Sequence, residues 1–153
     1  RQAEIEAVKP VIERLKETGW TFGSHTWGHI RLDSRPLESV QRDTVRWAEE
    51  VGSLVGPTNI LFYPHGGRPD GDDWHSTGPV FQYLQSQGFR IFASVGINSF
   101  SYIKKDISAV ICDRLHPDGT TLRNGKALEW YSQFYDAREI IDLDVRPDLG
   151  VTW

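Results

Sequence analysis

Three times along this chain a helical pattern stops at a glycine and an apolar, strand-like run begins at once. Gly19 is followed by WTFGS, Gly56 and Pro57 by NILFY, and Gly88 by FRIFASV. A glycine ends a helix because it adopts left-handed backbone without a Cβ clash. Strands joined through helices rather than tight turns lie parallel, so the alternation predicts an α/β fold with a mainly parallel sheet.

The helices are legible from spacing. Ile5, Val8, Ile12 and Leu15 recur at three- and four-residue steps. Pro10 lies inside that run and predicts a kink or a late helix start. A second helix is expected from near Ser34 and Pro36, with Val40, Trp47, Val51 and Leu54 on one face. A third is expected over Pro79 to Gln87, with Val80, Phe81 and Leu84 inward, and a last one around Lys126 to Phe134. Ile60 to Tyr63 is continuously apolar, as in a strand covered on both faces, and Ala109 to Cys112 reads as another short buried strand. A complete α/β barrel takes roughly 250 residues. The 153 residues here suit one domain holding about half of such a barrel.

Composition narrows the function classes. The net charge is −4 without a basic block, which argues against a nucleic-acid partner. No apolar run approaches the length of a membrane span. The single cysteine, Cys112, cannot form an internal disulfide, and its neighbours Val110 and Ile111 point to a small buried side chain rather than a nucleophile. The chain opens at Arg1 directly on a helical pattern and contains no Met, which fits a trimmed or processed protein.

Parallel α/β folds gather function at the carboxyl ends of their strands. His25 and His29 follow the first strand, His65 the second, and Asp113 and His116 the last. His25 and His29 have the i, i+4 spacing that places two imidazoles on one side of a helical turn. Catalytic zinc takes about three protein ligands and keeps one position open. Two hydrogen-bonded structural histidines would show the same spacing. In FYPHGG, the glycines allow close backbone approach, and the His65 N–H could serve as an oxyanion donor; an ordinary Pro-Gly turn would read the same way. The loop DGDDWH, Asp70 to His75, suits a cation or a sugar, or simply solvent. Trp27 and Trp74 suit stacking on sugar rings, or covering the core.

Together these residues resemble the polysaccharide deacetylase family, carbohydrate esterase family 4, with the NodB homology domain. The family's His-[Ser/Thr]-x-x-His motif reads His25-Thr26-Trp27-Gly28-His29, after a helix, a Gly turn and a short strand. Its Arg-x-Pro-Tyr-Gly motif reads Phe62-Tyr63-Pro64-His65-Gly66, and one helix fills the gap between the two. The resemblance covers roughly residues 1 to 115. It implies a distorted (β/α) barrel and a divalent metal, usually zinc, held by two histidines and an aspartate. The metal would activate water for attack on the acetyl group of an N-acetylated glycan or peptidoglycan sugar. Matched residue by residue, His25 and His29 take the metal ligand positions and the His65 N–H the oxyanion donor. Tyr63, Trp27 and Trp74 are the expected sugar contacts. A location outside the cell or in the cell envelope follows from the family alone. A non-catalytic carbohydrate-binding relative is the alternative.

The departures carry information too. The family's Thr-Phe-Asp-Asp type motif, source of the base and the third ligand, has no match in Arg1 to Ser24, and Asp72-Asp73 comes after the His motif. An incomplete barrel lacking its first strands is therefore expected, with self-association through the exposed sheet edge. The Arg of the Pro-x-Gly motif is Phe62 here. The final Leu-x-His motif survives loosely as Arg114-Leu115-His116, which makes His116 a candidate acid; a surface histidine in a strand turn would read the same way.

Overall fold

A computed structural model of the chain describes residues 1–70, 78–95, 101–104, 108–114, 129 and 131–133. The chain divides into two compact units, residues 1–114 and 115–153. In the second unit Glu129 and Tyr131 are helical, and the rest of the expected Lys126 to Phe134 helix lies outside the described residues, apart from the turn at Ser132 and Gln133. His75, Trp74, Asp72, Asp73 and His116 also lie outside them.

The first unit opens with α1, Gln2–Glu17, which runs unbroken through Pro10. The late start is therefore not seen: Pro10 sits exposed inside the helix, where water can satisfy the carbonyl that loses its N–H partner. Only Ile12 of its apolar stripe is buried, and Val8 and Val11 stay exposed. Gly19 ends the turn at φ 89°, as its position predicts. The next segment is less regular than expected. WTFGS makes no strand; it contributes a single parallel bridge, Ser24 to Leu61. Two hydrogen bonds hold it, from Ser24 N–H to the Ile60 carbonyl and from Phe62 N–H to the Ser24 carbonyl.

Helix α2, Leu37–Trp47, passes into a π turn at Ala48–Gly52 and a short α3 at Ser53–Val55. The wider turn breaks the 3.6-residue phase, so Val40 and Trp47 are buried while Val51 and Leu54 are only half-buried. Strand β1, Ile60–Phe62, runs into a 3-10 turn at Pro64–Gly66. Helix α4, Pro79–Ser86, crosses to β2, Ile91–Val95. Next come β3, Ser101–Lys104, and β4, Ala109–Arg114. The sheet order is β1-β2-β4-β3, with β1, β2 and β4 parallel and β3 antiparallel to β4. Periodicity missed β3, a four-residue edge strand with one charged residue. The described strands make an open sheet rather than a closed barrel.

Register explains the core. Leu61, Phe92 and Ile111 stand side by side across β1, β2 and β4 on one face, each almost fully buried. Val80, Phe81 and Leu84 of α4 close over that cluster, with Val40 of α2 and Leu32. Burial of one such side chain stabilises by about 1.5–3 kcal/mol, so this row anchors the sheet.

Asp70, the first residue of the acidic loop, has a structural role. Its carboxylate accepts the N–H groups of Val80 at 3.0 Å and Phe81 at 2.9 Å, and so caps α4. Gly78 is required beside it, because a Cβ there would lie 2.0 Å from the carboxylate oxygen. Asp70→Ala is expected to cost about 1–2 kcal/mol of stability, read from urea unfolding midpoints. An unchanged midpoint would show that the cap contributes nothing.

Candidate metal centre

The carboxyl end of the parallel sheet carries three imidazoles in a row. The His25 and His29 rings meet edge to face with centroids 4.8 Å apart, and His29 meets His65 the same way at 4.5 Å. His25 is half-buried, whereas His29 and His65 are exposed. The i, i+4 pair is not on a helical turn. Residues 25–30 form an irregular loop in which Thr26 and His29 take left-handed backbone, φ 61° and 51°. A β-branched residue in that region is strained, so something must hold it there.

The clamp is a set of polar contacts. Ser24 Oγ accepts the Thr26 N–H, and Thr26 Oγ1 accepts the Ile30 N–H. Asp43, buried on α2, accepts the N–H groups of Trp27 at 2.8 Å and Gly28 at 2.9 Å. Reading the sequence missed Asp43; a lone buried acid on the core side of an amphipathic helix was the available signal. The same loop fixes Trp27. Its ring lies under the Arg46 guanidinium, 3.4 Å from the centroid, and its indole N–H donates to Glu50.

The strongest orienting contact is at His25. Its Nδ1 lies 2.9 Å from the Phe62 carbonyl oxygen. A carbonyl only accepts, so Nδ1 carries the proton and the Nε2 lone pair is left free, the arrangement found behind metal-binding histidines. Burial pulls the His25 pKa below its ordinary 6.5; the Phe62 hydrogen bond opposes this, and the charges of Arg114, His29 and His65 add to the lowering. The neutral ring is therefore favoured in the fold. The unfolded chain binds the proton first as pH falls, so native stability drops below about pH 6.5 and levels off under the depressed pKa. In metal-free protein, His25→Gln should flatten that stretch of the stability–pH curve, measured by urea titration. An unchanged slope would count against a buried neutral His25.

His65 sits in the 3-10 turn with φ 56° and ψ 18°. Its amide N–H donates to no backbone carbonyl among the described residues, whereas Gly66 and Gly67 donate back into the turn. Tyr63 does not line the site. It is 2% exposed in the core against Phe92, and burial raises its pKa; the ring offers no face to a sugar because the strand alternation turns it inward. Asp113 pairs with Arg68 at 3.6 Å. Among the described residues no group of three or more His, Cys, Asp or Glu side chains converges as a metal site. Two imidazoles with at least one free Nε2 fit two positions of a metal shell, the part that the donor set supports. A hollow of about 570 Å3, lined by residues such as Trp20, Asn59 and Gly88, lies at the amino-terminal end of the strands, away from this chemistry.

An α/β protein with paired histidines beyond the carboxyl ends of parallel strands is the class that fold and site define. The family model for polysaccharide deacetylase matches residues 2–90, more than half of the chain. The chain belongs to the polysaccharide deacetylase family. That membership supports a deacetylase-type, hydrolytic function on glycans, in a family that is generally metal-dependent. No curated protein and no solved structure matches the chain significantly. No helix among the described residues is long and apolar enough to cross a membrane.

Proposed function

We propose that this protein removes acetyl groups from an N-acetylated polysaccharide or peptidoglycan sugar, with His25 and His29 holding a divalent metal, zinc by preference. The observation that carries the reading is the His25 Nδ1–H bond to the Phe62 carbonyl, which presents a neutral ring beside His29. When bound, the metal supplies an activated water and a polarised acetyl carbonyl. Around it the chain's own residues bind and orient. Phe62 holds the His25 tautomer, Asp43 holds the loop between the two histidines, and the His65 N–H, which donates to no backbone carbonyl among the described residues, is the candidate donor to the oxyanion. Trp27, stiffened by Arg46 and still 40% exposed, provides a platform for a sugar ring. We read the sheet as part of a distorted barrel and place the protein outside the cell or in its envelope, where such glycans are met.

Acetate release from N-acetylated oligosaccharides, with zinc and with a chelator, tests this. Zinc-dependent release supports the reading, and zinc binding without release refutes it. The second reading, a non-catalytic sugar-binding relative, draws on the two-histidine donor set and the backed Trp27 ring. It predicts oligosaccharide binding that Trp27→Ala abolishes, with no acetate released.

A further inference from the structure

The parallel register puts Phe62, Ala93 and Cys112 in one row across β1, β2 and β4, on the face opposite Leu61, Phe92 and Ile111. Arg114 follows Cys112 by two residues and so returns to the Phe62 face at the carboxyl end of β4. Its guanidinium carbon lies 5.8 Å from the centre of the Phe62 ring. Phe62 therefore holds both partners, the cation over its ring and the His25 imidazole on its carbonyl.

Arg114 has no counter-ion among the described residues. The neighbouring carboxylate, Asp113, points to the other face and pairs with Arg68. The Arg114 Nε is buried and makes no hydrogen bond among the described residues. Burial without a compensating charge also lowers the Arg114 pKa from its ordinary value, though it stays cationic at neutral pH. A half-desolvated guanidinium without an anion among the described residues, whose charge acts on the His25 ring, is an unfinished ion pair. Its flat fork matches a carboxylate better than any other common anion except phosphate.

We propose that Arg114 is the carboxylate-binding residue of this site and takes the acetate freed by deacetylation beside His25. The proposal rests on the deacetylase reading for the source of the carboxylate. A carboxylate on the sugar itself is the other source with the same chemistry.

Titration of the full-length, zinc-loaded protein with acetate and with glucuronate, without acetylated substrate, tests it. Arg114→Gln should weaken binding roughly 10- to 100-fold, and Arg114→Lys less, because the charge remains while the fork is lost. Zinc affinity should stay unchanged in both. Tighter binding of acetate than of glucuronate supports acetate as the ligand, and the reverse overturns that assignment in favour of a sugar carboxylate. Should the variants fail to fold, the Arg114 Nε–H resonance of the wild-type protein must shift as acetate is added. Absence of carboxylate binding, or binding indifferent to Arg114, overturns the proposal. Acetate binding through Arg114 with no glycan turnover retires the catalytic reading alone; turnover with acetate binding indifferent to Arg114 retires this inference alone.

Discussion

His25→Ala and His29→Ala should each abolish tight zinc binding and, with it, acetate release. Loss of an outer partner of a metal ligand typically costs 10–100-fold in affinity, and loss of a ligand itself costs more. His25 should be the more sensitive of the two, because the Phe62 carbonyl already fixes its tautomer and its burial favours the neutral ring. His29 is exposed and lies between His25 and His65, so His65 is the nearest imidazole to take its place. Isothermal titration with zinc separates the cases. If either single alanine variant binds zinc as tightly as the wild type and releases acetate at the same rate, the metal centre is elsewhere.

Asp43→Ala should damage both stability and site although the side chain faces no ligand. The carboxylate takes two backbone N–H groups from the loop between the histidines, and alanine leaves both without an acceptor in a buried place. Bonds to a charged acceptor contribute roughly 1.5–3 kcal/mol each, so the loss should be about 3 kcal/mol. For a chain of this size that is a fall of roughly 10 °C in Tm. The released loop should let Thr26 and His29 leave their left-handed backbone, and zinc affinity should fall by about 10–100-fold. Asp43→Asn keeps an oxygen acceptor and should recover most of the Tm. A variant with normal stability and normal zinc affinity would show that the clamp is incidental.

The two halves of this prediction differ in what the chain reveals. That α2 exists, and that Val40 and Trp47 point inward, is written in consecutive residues. That Asp43 on the same helix reaches the Trp27 amide is not, because the contact joins residues far apart along the chain. Tyr63 shows the converse. Its motif suggests a sugar contact, but a shift of one position along a strand exchanges core and solvent faces, and the β1–β2 register puts it in the core. Pro10 and the π turn at Ala48–Gly52 mark where local rules mislead: α1 runs on past an exposed proline, and the π turn shifts the helical phase so that Val51 and Leu54 are only half-buried.

By itself, the sequence determined the alternation of helix and strand, the glycine stops, the core residues of α4, and the place of His65 just past the end of β1. Periodicity and turn chemistry act over a few residues, so these are readable without a fold. Only the tertiary structure decided that His65 stands beside His29, that Phe62 anchors His25, and that Arg114 lies over Phe62 without a counter-ion among the described residues. Each of those contacts depends on which strands pair and in what register, a property of the whole sheet that no single segment encodes.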